Sequence, residues 1–167
     1  ITPGTLTDTA VIGERINNFL CSLYVQGKRA GLAACDVSTG EFYAQQLPAE
    51  QSAVKAALSA LEPGEIITND LEFAKGCAAV VPRLFTAAAF QSQNARETLL
   101  SHFGVNSLIA LGLDSSLAAA ACASGALMRY LNDTQKNSLK HIVSIRIQEK
   151  GDTMPLDAST RRNLELT

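Results

Sequence analysis

Three consecutive runs constrain this chain more than any other feature: "NFLCSLYV" (18–25), "RAGLAACDV" (29–37) and "EFYAQQL" (41–47). Each is rich in aromatic, β-branched or small apolar side chains, and only the Gly-containing loops "QGK" and "STG" separate them. Loops that short return a strand antiparallel to the one before it, so the reading is a three-stranded antiparallel meander.

From Pro48 the period changes. Pro48 fits the first turn of a helix, Val54, Leu58 and Leu61 recur at helical spacing, and Pro63-Gly64 ends the element. "EIITN" (65–69) reads as a short buried strand, and a short helix follows from about Asp70 to Lys75. "AAVVPRLFT" (78–86) is strand-like, with Pro82 pointing to an edge or a strand end. A helix from Phe90 to Phe103 buries Ala95, Leu99 and Phe103, with Gly104 just past its end. A turn of helix near Leu108 leads to a long helix from Asp114, its expected N-cap, to about Asn132. Strands in a row, then helices alternating with strands, define the class as α/β: one mixed sheet, the meander plus further strands, flanked by helices.

The two ends read differently. "TPGT" (2–5) is a turn or linker, and a short helix pattern with Val11 and Ile12 runs from about Thr7 to Arg15. After Asn132, "DTQKNSLKH" (133–141) is polar without an apolar period, which sets a domain boundary there. "IVSIRIQ" (142–148) alternates as a strand, "TMPL" (153–156) is a second extended piece, and both are expected to turn their apolar faces to something outside the main core. Asp157 then N-caps a helix that no Gly or Asn closes. The expectation is a cut through a longer protein, with fraying from about Ala158 onward.

Composition excludes several functions. The net charge of −2 is interspersed rather than blocked, aromatics make up 5%, and there is no Trp, so a basic groove with stacking rings for nucleic acid is unsupported. Cys21, Cys35, Cys77 and Cys122 form no C-x-x-C pair, and the expectation is buried free thiols in a cytoplasmic protein. "LAAAACASGALM" (117–128) is far shorter than the ~20 residues a bilayer requires, and "ITPGTLTD" lacks the basic and apolar regions of a secretory leader.

The chemistry-bearing residues have local readings. Asp36 is an acid among apolar neighbours, and an Asp in such a meander is where a ribonuclease H-like nuclease would begin, with carboxylates holding two metal ions ~3.5–4 Å apart. That site needs converging acids, for which Glu65, Asp70 and Asp114 are the candidates. The expectation instead is that Asp36 accepts backbone N–H bonds in the Ser38-Thr39-Gly40 turn, while Asp70 and Asp114 serve turn and cap. His102 and His141 have no ligand neighbour at i+3 or i+4 and are read as helix-terminus or solvent-exposed groups. Ser124 lacks a G-x-S-x-G context and reads as a small packing residue. No G-x-x-x-x-G-K-[ST] loop occurs. Arg161 and Arg162 fit a solvated face or an interdomain ion pair better than a phosphate or DNA site. No catalytic, cofactor-binding or metal residue is assigned.

Four stretches carry a resemblance. "MPLDASTRRNLELT" (154–167) resembles the signature that opens the core, or lever, domain of the MutS family of DNA mismatch-repair proteins. "GLAACDVSTGEF" (31–42) is similar to that family's connector-domain hairpin, "TPGT" to the segment leaving the bacterial mismatch-binding domain, and "DTQKNSLKHI" (133–142) to the passage from connector to core. The resemblance implies a connector domain of ribonuclease H-like fold without a nuclease site over 1–132, residues 1–5 being linker, and a linker with the start of the core domain over 133–167. It implies a non-enzymatic role coupling mismatch sensing to an ATP-driven change. Implied partners are the other MutS domains and MutL, with mismatched DNA, ATP, Mg and homodimer contacts carried by parent domains outside this segment and no cofactor within it. The alternative is a metal-dependent nuclease of the same fold.

Overall fold

The computed structural model describes residues 18–135 and 138–148. Strands β1 (Phe19–Gln26), β2 (Arg29–Asp36) and β3 (Glu41–Pro48) form the expected antiparallel meander. Phe19 pairs with Asp36 and Gln26 with Arg29, so the first hairpin turns on Gly27 and Lys28; Gly27 takes φ 61°, the left-handed region that a two-residue hairpin turn uses. In the second hairpin the Asp36 carbonyl accepts from the N–H groups of Thr39 and Gly40 at 3.2 and 2.8 Å. Strand β4 (Glu65–Thr68) lies parallel to β1, β5 (Arg83–Leu84) parallel to β4, and β6 (Arg146–Gln148) parallel to β3. The order across the sheet is β5-β4-β1-β2-β3-β6, a mixed α/β arrangement consistent with the ribonuclease H-like fold.

Strand alternation divides the core into two layers. Cys21, Leu23, Leu32, Ala34, Tyr43 and Leu47 pack with helix α1 (Gln51–Leu61) through Val54, Leu58 and Leu61. Ala33, Cys35, Phe42 and Ala44 pack on the other face with Leu99 of α4 (Ser92–Phe103) and Ala123 and Leu127 of α5 (Ala118–Thr134). Strand β2 is covered on both faces, and every residue after Arg29 is buried. Its small apolar run is what lets a helix approach closely.

Helix α5 shows how closely. A Cβ at Gly31 would fall inside the Ala119 carbonyl group, and one at Gly125 would overlap Ala95 of α4. Ser124, fully buried, donates to the Ala120 carbonyl one turn back at 2.8 Å, which confirms its reading as a packing residue. The first turn of α5 is capped from the sheet: Gln46 Oε1 accepts from Ala119 N–H at 3.0 Å and Ala120 N–H at 3.3 Å, and its Nε2 donates to the Ser116 carbonyl at 2.7 Å. Helix N-termini leave such donors orphaned, and a strand residue supplies the acceptor here.

Several boundaries differ from the sequence reading. Pro48 ends β3 instead of opening α1, whereas α1 ends as expected just ahead of Pro63-Gly64, at Leu61 with Glu62 as a left-handed C-cap at φ 49°. After the short helix α2 (Leu71–Lys75), only Arg83–Leu84 of "AAVVPRLFT" pairs as strand, directly after Pro82, which has no N–H to give. The helix expected over 90–103 is present as α4 but starts two residues later, because Gln91, with an extended ψ of 139°, separates it from the short helix α3 (Ala87–Phe90). Ala95 and Leu99 are buried as expected, Gly104 closes α4 at φ 67°, and Phe103 is only half-buried. Asp114 caps the single 3-10 turn Ser115–Leu117 and not α5 itself. Finally, Leu139, Ile142 and Ile145 are buried against α4 and α5, so this apolar stretch faces the main core rather than something beyond it. The pieces "TPGT", "TMPL" and the helix expected after Asp157 lie outside the described residues.

The α5 contacts make a ranked set of stability changes measurable by urea unfolding. Gly31→Ala is expected to cost about 3 kcal/mol by overpacking against backbone. Gln46→Leu is expected to cost about 2 kcal/mol through the uncapped α5 N–H groups. Glu62→Gly is expected to stabilise by about 0.5–1 kcal/mol by relieving the left-handed backbone.

Candidate functional site

The acids singled out in the sequence are distributed by the fold to different places. Asp36, at the end of β2, and Glu65, at the start of β4, come to the same end of the sheet because Phe19 pairs with Asp36 and Leu20 with Glu65. With Asn18, Ser38 and Tyr130 they line a shallow cleft of about 460 Å³. Asp70 lies past the opposite end of β4, and Asp114 lies in the turn ahead of α5.

Each of the four is engaged locally. Asp36, 2% exposed, accepts at Oδ1 from the Ser38 N–H at 3.0 Å and the Ser38 hydroxyl at 2.6 Å, the turn role expected for it. Glu65 Oε2 accepts from the Tyr130 hydroxyl and faces Arg83 Nη1 at 3.8 Å. Burial, reinforced by this carboxylate, pushes the Tyr130 hydroxyl above its ordinary pKa. Asp70 Oδ1 accepts from Phe73 N–H at 3.1 Å and caps α2. Asp114 accepts from Ser116 N–H at 2.9 Å and from the Ser116 hydroxyl, and these bonds hold its carboxyl below the usual range. Among the described residues no group of three or more His, Cys, Asp or Glu side chains is placed to hold a metal ion. A two-metal site requires such convergence, and the geometry gives the nuclease reading no support.

In an open α/β sheet, ligands and reactive groups gather outside the carboxyl ends of the strands. At the carboxyl ends of β1 and β4 stands Asn69, which the sequence reading absorbed into the "EIITN" strand. Its Oδ1 accepts from Val25 N–H at 2.8 Å and its Nδ2 donates to the Val25 carbonyl at 2.9 Å. This two-way clasp ties β4 to β1 where the strands diverge. An amide suits it because one side chain must both donate and accept, which a carboxylate cannot do.

The two histidines also have structural posts. His102, in the last turn of α4, contacts the Ile142 carbonyl through Nε2 at 2.9 Å. His141 Nε2 contacts the Val37 carbonyl in the β2–β3 turn. Together they fasten the segment leading into β6 to both α4 and the meander. Nothing in their spacing could have shown this, since the partners are carbonyls 40 and 104 residues away. Arg161 and Arg162 lie outside the described residues.

These observations define a class: a mixed α/β domain whose polar side chains described above hold strands, caps and turns, with no helix among the described residues long and apolar enough to cross a membrane. Residues 18–143 match the family model described as MutS domain II. The chain belongs to the MutS family of DNA mismatch-repair proteins, of which this is the connector domain.

All four cysteines are free and buried. Burial, with the Asp36 and Glu41 carboxylates nearby, raises the Cys35 thiol to about 12, and burial likewise raises Cys21, Cys77 and Cys122. Burial raises the Tyr43 hydroxyl to about 12 as well. Raised native values mean that the folded chain keeps protons the unfolded chain releases, so this contribution to stability is complete below the unfolded thiol pKa of about 8.5 and is lost above it. The thermal midpoint is therefore expected to fall as pH rises from about 8 to about 11. Thiol labelling near pH 8 is expected to run roughly a hundredfold slower in the native chain than in denaturant.

Proposed function

We propose that this domain is a non-enzymatic coupling module within a mismatch-repair protein, passing the state of a mismatch-reading domain to an ATP-driven conformational change and presenting a surface to MutL. The observation that carries this reading is the match of residues 18–143 to MutS domain II. The physical support is a sheet packed on both faces, which suits a body that is reoriented as a unit when neighbouring domains change state. The reading places the parent protein in the cytoplasm, leaves ATP, Mg and mismatched DNA to other domains of a homodimer, and gives this segment no cofactor of its own.

Two measurements test it. The reading frame flanking this segment should encode an aromatic-x-Glu mismatch reader upstream and a G-x-x-x-x-G-K-[ST] loop downstream. In that parent protein, Ile147→Pro removes an N–H from β6 beside Ala44 of β3 and should loosen the outgoing chain. Basal ATP turnover is expected to stay within roughly twofold of wild type, while its response to a mismatch is lost. An unchanged mismatch response would overturn the coupling role assigned to this junction.

A further inference from the structure

A groove of about 690 Å³ lies on the α1 face of the domain, between α1 and the loop that follows α2. Its wall is an outcrop of the core: Leu58 is buried, and Val80 packs against the same cluster of side chains. Lys55 and Lys75, both exposed, line it together with one acid, Glu62. Neither lysine is ion-paired among the described residues. Two ammonium groups against one carboxylate leave an apolar trough with a positive rim.

Beside the trough the main chain has open donors. The N–H groups of Ala79, Val80 and Val81 make no hydrogen bond among the described residues, and this stretch leads directly into β5, the outermost strand on its side of the sheet. Of the four large hydrophobic side chains exposed among the described residues, Val81 at 88% and Leu84 at 60% both lie here. Pro82 and the charged Arg83 blunt β5 itself, because a missing N–H and an edge charge oppose strand-to-strand pairing. That disfavours a second copy of this sheet as the occupant. The open donors lie ahead of the proline and adjoin the groove, whose volume is that of a pocket for a short segment rather than a folded face.

We propose that the groove between α1 and the 76–81 loop is a docking site for an unfolded segment of a partner protein in which apolar side chains alternate with carboxylates. The apolar side chains lie on Leu58 and Val80, the carboxylates face Lys55 and Lys75, and the segment's carbonyls accept from the open N–H groups of 79–81. Main-chain bonds then supply affinity, and the wall and rim supply selectivity. This surface is separate from the ends of the sheet that hold Asp36, Glu65 and Asn69, and the proposal goes beyond the coupling role without depending on it.

Fluorescence anisotropy of a labelled eight-residue synthetic peptide, alternating glutamate and leucine, tests the proposal on the intact chain. Lys55→Glu/Lys75→Glu is expected to weaken binding roughly tenfold or more and to create binding of the matching lysine–leucine peptide, which the wild-type chain should not take. Val80→Asp should weaken the glutamate peptide by a similar factor, and Ser101→Asp, on α4 across the sheet, should leave it unchanged. Thermal midpoints within about 2 °C of wild type show that each variant is folded. Equal affinity in every variant, or charge reversal that gains no lysine–leucine binding, would overturn the proposal. An all-glutamate peptide that binds as tightly would reduce the site to surface charge, and decanoate that binds more tightly than the peptide would make the occupant a small amphiphile; either result overturns it. Sedimentation velocity covers the last case: self-association that Lys55→Glu/Lys75→Glu abolishes would make the occupant a second copy and overturn a separate partner. The probe needs neither ATP nor a mismatch, so failure here and failure of the coupling role are distinguishable.

Discussion

The carbonyl of Ala119 lies where a side chain on Gly31 would have to be, and much of the architecture follows from that contact. A helix normally stands off a sheet by the thickness of two side-chain layers, but α5 presents a nearly continuous run of small residues to β2 and approaches at backbone distance. Close approach of α5 to the sheet is repeated between α5 and α4, where Gly125 meets Ala95. Such packing gains dense dispersion contacts while giving up tolerance, since interiors at crystal-like density do not absorb an added methyl. It also buries the start of α5, where free N–H groups are costly, and this is why Gln46 reaches from β3 to accept from Ala119 and Ala120.

The same economy explains the absence of convergent chemistry among the described acids. A carboxylate that accepts from its own turn, cap or neighbouring tyrosine is oriented toward that partner, and moving it into a metal site would orphan the donor it now satisfies. Asp36 is the clearest case: it is nearly inaccessible, and its Oδ1 already serves both the amide and the hydroxyl of Ser38. At the opposite end of the sheet, the position from which a β4 residue could act on a ligand is taken by Asn69 and its bonds to Val25. The fold keeps the frame of a nuclease-like sheet and uses its ends for closure.

Local signals carried the fold a long way, and they failed where the partner is distant in sequence. The meander was legible because alternation and short Gly-containing loops are properties of adjacent residues, and the roles of Asp36, Asp70 and Ser124 were legible because each bonds within four residues. Gln46 and Asn69 were not, because an amide on a strand carries no mark of the helix 70 residues on or the strand 44 residues back that it will join. The break at Gln91 was hidden for a different reason. Residues 91–94 are all polar and mark no boundary by period, and the Asn94 side chain bridges the turn by donating to the Ala88 carbonyl at 2.9 Å and to Gln91 Oε1 at 3.1 Å.

The segment 139–148 shows what such distant contacts do mechanically. Its first residues belong to the polar stretch 133–141 and the rest to a strand expected to face something outside the core, yet Leu139, Ile142 and Ile145 are buried, His102 holds the Ile142 carbonyl, the His141 ring reaches the Val37 carbonyl, and β6 pairs with β3. A flexible linker of that length would absorb a neighbour's displacement as entropy. A segment held at separate points on α4, the β2–β3 turn and the sheet edge transmits displacement instead, because moving it requires opening buried contacts on several elements at once.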